Sequence, residues 1–161
     1  LIYFSVMQPS HYEGHRMYCV RTKDFKTISK ATVFYDPGFS VIDAHLIPDP
    51  SRNRWCMIVK DEGEGQKHLF SAHAPTLEGP WTIGTKPIAG DLTEGATSFA
   101  TDKGWTIIYD AYGDHEYRAL QSEDLDHFAP LEETLNLPGR VRHGTVFPIS
   151  EETYQKLSQL D

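Results

Sequence analysis

The sequence predicts an all-β fold, a β-propeller of which about three blades are present. Three observations predict it. Polar-centred segments recur at Val41-Ile42-Asp43-Ala44-His45, Thr93-Glu94-Gly95-Ala96-Thr97 and Arg142-His143-Gly144-Thr145-Val146. Asp43 precedes Glu94 by 51 residues, and Glu94 precedes His143 by 49. A period near 50 residues is that of a propeller blade. Within each period the same strand series follows, and a Trp opens the second strand at Trp55 and again at Trp105. The 161 residues also include 12 Gly and 10 Pro, with no long helical periodicity, as a turn-rich β domain requires.

The elements follow in order. Leu1 to Phe34 reads as strands two to four of one blade, entered in mid-strand at Leu1-Ile2-Tyr3-Phe4-Ser5, so further sequence is expected upstream. Val41 to about Ile83 and about Leu92 to Leu131 read as two full blades. In these, Asp49-Pro50-Ser51-Arg52-Asn53 and Thr101-Asp102-Lys103-Gly104 carry the turn residues between first and second strands. Third strands are expected at Arg16–Val20, His68–Ala72 and Tyr117–Gln121. Each is followed by a closing segment: Thr22-Lys23-Asp24-Phe25, Thr76 to Trp81, or Ser122 to Phe128. Val141–Ile149 is expected to be the first strand of another blade. Residues 1–150 thus form a partial propeller with blade boundaries near 35–40, 84–92 and 132–140. Residues 151–161 are a weakly helical tail. Three blades do not close a ring of four to eight, so open edges would need cover from more of the ring or from a second copy in a homodimer.

Composition bounds the partners. A net charge of −8 argues against nucleic acid and lends no support to an anionic membrane surface. No apolar run approaches the roughly 18 residues of a spanning helix. Cys19 and Cys56 lie in apolar strand-like runs and read as buried free thiols. No HExxH, close Cys/His spacing, GxSxG element, P-loop or dinucleotide fingerprint is present, which disfavours catalytic zinc and an organic cofactor.

Innermost propeller strands line a central channel, where a lone carboxylate is costly unless hydrated, paired or functional. With Asp43, Glu94 and His143 read as one position on successive blades, two acids and an imidazole gather near the axis. Glycoside hydrolysis needs a protonated acid at the leaving oxygen and a carboxylate acting on water or sugar. A further ionisable group can tune that acid. Glu94, with the longer side chain and Gly95 leaving room beside it, suits the proton donor; Asp43 suits support. Strand alternation points His45 to the face of Asp43, either toward sugar or Glu94 or in a structural role. Phe39 is either a platform for a sugar ring or a core residue. Asp110, Tyr112, Asp114 and His115 read as a loop at the mouth of the funnel, and Trp55 and Trp105 as packing between blades.

Asp36-Pro37-Gly38-Phe39-Ser40-Val41-Ile42-Asp43-Ala44, Leu77-Glu78-Gly79-Pro80-Trp81, Glu94-Gly95 and Arg142-His143-Gly144-Thr145-Val146 together resemble the family 43 glycoside hydrolases, in order and spacing and over nearly the whole chain. The resemblance implies a five-bladed propeller that hydrolyses arabinose- or xylose-containing oligosaccharides or polysaccharides with inversion. It assigns Glu94 as general acid, Asp43 as the carboxylate that tunes and orients it, and His143 as a ligand of calcium or another axial cation. Arg142 would reach the substrate or the acid. An extracellular or periplasmic location is expected. The family's catalytic base has no match and is expected upstream of Leu1; Asp36-Pro37 reads as a turn. Ala96 stands where the family usually has Pro. Two other readings are a noncatalytic carbohydrate-binding propeller and a partial propeller completed by a second chain.

Overall fold

The computed structural model describes residues 1–7, 14–132, 135, 137 and 141–159. The chain forms three successive antiparallel sheets. The first is β1 (Ile2–Met7), β2 (His15–Val20) and β3 (Thr32–Tyr35), paired in that order. The second is β4 (Val41–Asp49), β5 (Arg54–Asp61), β6 (Leu69–Ala74) and β7 (Thr82–Ile83). The third is β8 (Glu94–Thr101), β9 (Gly104–Ala111), β10 (Glu116–Ser122) and β11 (Ala129–Pro130). Two four-stranded meanders and one three-stranded piece agree with the strand series read from the sequence and are compatible with part of a propeller. The expected boundaries near 35–40 and 84–92 fall between sheets; most of 132–140 lies outside the described residues.

Period-2 alternation in β5 builds the core on both sides of the middle sheet. Met57 and Val59 join Met17, Tyr35, Val41 and Ala72 against the first sheet. Cys56 and Ile58 join Ile47, Leu69, Ile107, Leu120 and Leu125 against the third. Buried on both faces, β5 therefore carries an uninterrupted apolar run from Trp55 to Val59. Trp105 packs against the second cluster, as expected of a residue between sheets, while Trp55 is half-buried. Cys19 and Cys56 are buried free thiols, and burial pushes Cys56 up to about 12.

The first strands of the middle and third sheets are interrupted by bulges. Between Ile42 and His45 the register of β4 against β5 shifts, and between Glu94 and Thr97 that of β8 against β9. An extra residue reverses which parity faces which side. Val41 accordingly packs toward the first sheet, whereas Ile47, of the same parity, packs toward the third. Asp43 and Gly95 sit within these bulges with φ of 54° and 61°.

The expected strand at Val141–Ile149 is not formed. His143 has a φ of 50°, and the segment has no partner strand among the described residues. Side chains hold it instead, together with a bond from the Val146 N–H to Thr97 Oγ1 at 3.3 Å. The tail forms α1 (Glu151–Leu157), capped by Ser150 Oγ accepting from the Thr153 N–H, with no buried residue. No helix among the described residues is long and apolar enough to cross a membrane.

The closing segments of the first and third sheets share one hydrogen-bonded turn. Thr22 Oγ1 accepts from the Phe25 N–H, and Ser122 Oγ from the Leu125 N–H, both at 2.8 Å. Asp24 and Asp124 each accept two N–H groups further on. The third-sheet turn is also tied to the middle sheet. Arg54 donates to Asp49 Oδ2 at 2.9 Å and Asp126 Oδ2 at 2.8 Å, and to the Asp124 carbonyl at 2.9 Å. Burial pushes Asp49 up, but Ser51 and Arg54 outweigh it and hold its carboxyl below the usual range.

Arg54→Met leaves Asp49, whose side chain is 2% exposed, with only the more exposed Arg52 at 3.9 Å as its cation. The expected loss is about 3 kcal/mol at neutral pH in urea unfolding, the low end for breaking a buried pair because Arg54 remains partly exposed. Asp49 has a depressed folded-state pKa, so its stabilisation is present above the unfolded-chain value and disappears as pH falls through the folded one. The gap between the unmodified protein and the variant should close on acidification.

Candidate active site

Asp43, Glu94 and His143 converge, with one oxygen or nitrogen from each lying within 4.8 Å of the others. Their backbone positions are not equivalent as the sequence suggests. The bulges align Asp43 with Gly95, and the left-handed φ adds His143 to that series; Glu94 lies one residue earlier, aligned with Ile42 and with Arg142. The left-handed region is open to Gly and enriched in Asp and His among other residues. A polar-to-polar count thus slips by one residue at Glu94. Gly95 has a second constraint, because a Cβ on it would meet the His143 ring at 3.0 Å.

Glu94 receives three donors. Lys60 Nζ lies 2.6 Å from Oε2, while Arg142 Nη2 and His143 Nε2 donate to Oε1 at 2.5 Å and 3.0 Å. Lys60 sits across β4–β5 from Ile42 and is only 3% exposed. Its ammonium also lies 2.8 Å from Glu62 Oε2 and 4.7 Å from the centre of the Tyr112 ring. Lys67 in turn pairs with Glu62. On the other side, Asp110 stands directly opposite Glu94 in the β8–β9 register, an unfavourable placement for two acids. Arg142 resolves it, donating from Nε to Asp110 Oδ2 at 2.6 Å and from Nη2 to Glu94. The result is a chain of alternating charge: Lys67, Glu62, Lys60, Glu94, Arg142, Asp110.

The two carboxylates of the cluster differ in environment. Burial raises the Glu94 carboxyl, but the Lys60 and His143 hydrogen bonds and charges outweigh it, and the net position is below the usual range. Asp43 is raised, first by burial and further by the Glu94 charge, against the lowering effects of His143, Lys60 and the Gly95 N–H. Asp43 Oδ2 is buried without a hydrogen bond, 3.8 Å from His143 Nδ1. A buried carboxylate oxygen without a hydrogen bond, beside an imidazole and a second carboxylate, is a mixed oxygen and nitrogen donor set that could hold a cation.

Arg142 joins the cluster as expected of it. His45 does not: the bulge breaks the alternation that would align it with Asp43, and its Nε2 meets Ser98 Oγ at 2.8 Å. Burial also lowers its pKa. Phe39 packs half-buried against the core between the first and middle sheets. Asp36 accepts the Gly38 N–H and pairs with Arg16, as a turn residue. Lys60, Glu62 and Lys67 are the residues that sequence reasoning missed. The signal for Lys60 was a single cation ending the apolar run Trp55–Val59.

A family described as "Probable glycosyl hydrolase domain", related to glycosyl hydrolase family 43, matches residues 1–155. Among solved structures, a match is the crystal structure of a thermostable family-43 glycoside hydrolase, with a TM-score of 0.51 at 13% identity. The alignment covers 84% of this chain and 55% of that one, so the chain spans about half of its length. At this identity the likeness is one of fold. No curated protein sequence matches.

Gly95→Ala should cost about 1–2 kcal/mol from its left-handed φ alone, measured by urea unfolding. A crystal structure of the variant should show the His143 ring displaced from Glu94.

Proposed function

The chain belongs to the family of glycosyl hydrolase domains related to family 43, and on that premise we propose that it forms part of an inverting glycosidase acting on arabinose- or xylose-containing glycans. The observation that carries this reading is the convergence of Glu94 and Asp43, with His143, on ligand atoms within 4.8 Å of one another. Glu94 is the general acid and protonates the leaving oxygen. Asp43 tunes and orients it. The base that activates water on the opposite sugar face is supplied from outside residues 1–161, on a further blade of a five-bladed ring.

The ionic hold on Glu94 sets a condition for this role. Lys60 and Arg142 both favour its ionised form, so one contact must loosen before Glu94 can carry a proton. Arg142 is the one able to leave, being 57% exposed where Lys60 is 3% exposed. A substrate hydroxyl approaching Oε1 competes with Arg142 and can take its guanidinium as a partner.

Asp43, whose Oδ2 is otherwise unpartnered, and His143 are the residues that would hold calcium or another cation. Such an ion would supply positive charge to keep the two side chains together. A second reading is a noncatalytic carbohydrate-binding propeller. The same ionic hold on Glu94 speaks for it, and oligosaccharide binding without turnover by the intact protein would select it.

In the intact protein Glu94→Gln should lower turnover of aryl pentosides with poor leaving groups by about 10²–10⁴-fold while leaving the circular dichroism spectrum unchanged. Undiminished hydrolysis would remove Glu94 from the role of acid. Millimolar calcium should raise the melting temperature after chelator treatment, and Asp43→Asn should abolish that rise.

A further inference from the structure

Lys60 is the most confined charged group of the cluster. Its side chain is 3% exposed, and three partners surround its ammonium: Glu94 Oε2, Glu62 Oε2 and the Tyr112 ring. Glu62 is anchored in turn by Lys67, so the ammonium is fixed from both ends. Lys60 also projects from β5, the middle sheet's most buried strand, rather than from a loop. Glu94 Oε1 differs from Oε2 in this respect. Its partners Arg142 and His143 are 57% and 44% exposed, and both belong to the segment that forms no strand.

We propose that Lys60 is the positioning residue of Glu94. It pins Oε2 inward and thereby leaves Oε1 as the oxygen presented to the glycosidic oxygen of the substrate. This inference rests on the reading of Glu94 as the general acid. An acid held by one oxygen keeps the other at a set distance and angle, and small misplacements of such a group are costly. A carboxyl freed from Lys60 would present either oxygen over a wider range of orientations.

The test uses phenyl and 2,4-dinitrophenyl pentosides with the intact protein. Departure of phenol needs the proton, whereas dinitrophenolate leaves with little help, so the phenyl-to-dinitrophenyl ratio of kcat values reports on the acid and not on the fold. Lys60→Met should lower that ratio about 30-fold, within the range of a misplaced catalytic group. In a Glu94→Gln background the same substitution should change it less than about twofold, because the group it positions is already gone. Lys60→Arg keeps a cation beside Glu62 and Glu94 while moving the donor, so it protects the test if Lys60→Met does not fold; a fall of about threefold to tenfold is expected.

An unchanged ratio in the Lys60 variants, with a normal loss in Glu94→Gln, would overturn the inference and spare the acid. An equal fall in both backgrounds would show that Lys60 acts independently of Glu94, and would also overturn it. No loss of the ratio in Glu94→Gln itself, or no turnover of either pentoside by the unmodified protein, would overturn the reading of the acid and the inference together.

Discussion

The Lys60–Glu94 ion pair is the constraint on which the candidate site depends. Taking two opposite charges out of water is favourable only when geometry is good and the remaining donors and acceptors find partners. Here the requirement propagates outward. Lys60 needs Glu62, Glu62 takes Lys67, Glu94 takes Arg142 and His143, and Arg142 takes Asp110. Six alternating charges connect the middle sheet, the third sheet and the segment after it. Arg142 removed alone would leave Asp110, whose side chain is 5% exposed, without its cation, which costs more than the pair is worth in place.

Backbone geometry makes that chain possible. One bulge in β4 and one in β8 turn the chain at Asp43 and Gly95. Asp43 is thereby presented at the inner end of the middle sheet. Gly95 offers a bare face against which the His143 ring lies. In β4 the bulge also changes which parity faces which side, since Val41 and Ile47, of the same parity, go to opposite clusters. Architecture and site share one local device, so the left-handed positions are under both steric and chemical demand.

The propeller-like strand series was legible because hydrophobic alternation, turn residues and the period near 50 residues are local signals. Asp43, Glu94, Arg142 and His143 were legible as a constellation because they recur in the same part of each period. Their exact register was not. A bulge adds one residue without an obvious mark, and the count from Asp43 to Glu94 absorbed it. Aligning Gly95 with Asp43 by tolerance for positive φ would have exposed the slip. The same omission misplaced His45, which was assigned to the face of Asp43 by an alternation that the bulge interrupts.

Local patterns in the sequence therefore carried the all-β class, the order of the strands and the identities of Asp43, Glu94, Arg142 and His143 as a cluster. These follow from side-chain periodicity, turn chemistry and the cost of placing acids on inner strands. Tertiary structure alone decided how those groups are charged and held. Lys60 reaches Glu94 across 34 residues, and Arg142 reaches Asp110 across 32. No local pattern encodes such contacts, because they arise only when adjacent sheets pack and buried charges must find partners. The strand expected at Val141–Ile149 shows the same limit, since a strand needs a neighbour to bond with and its own residues cannot supply one.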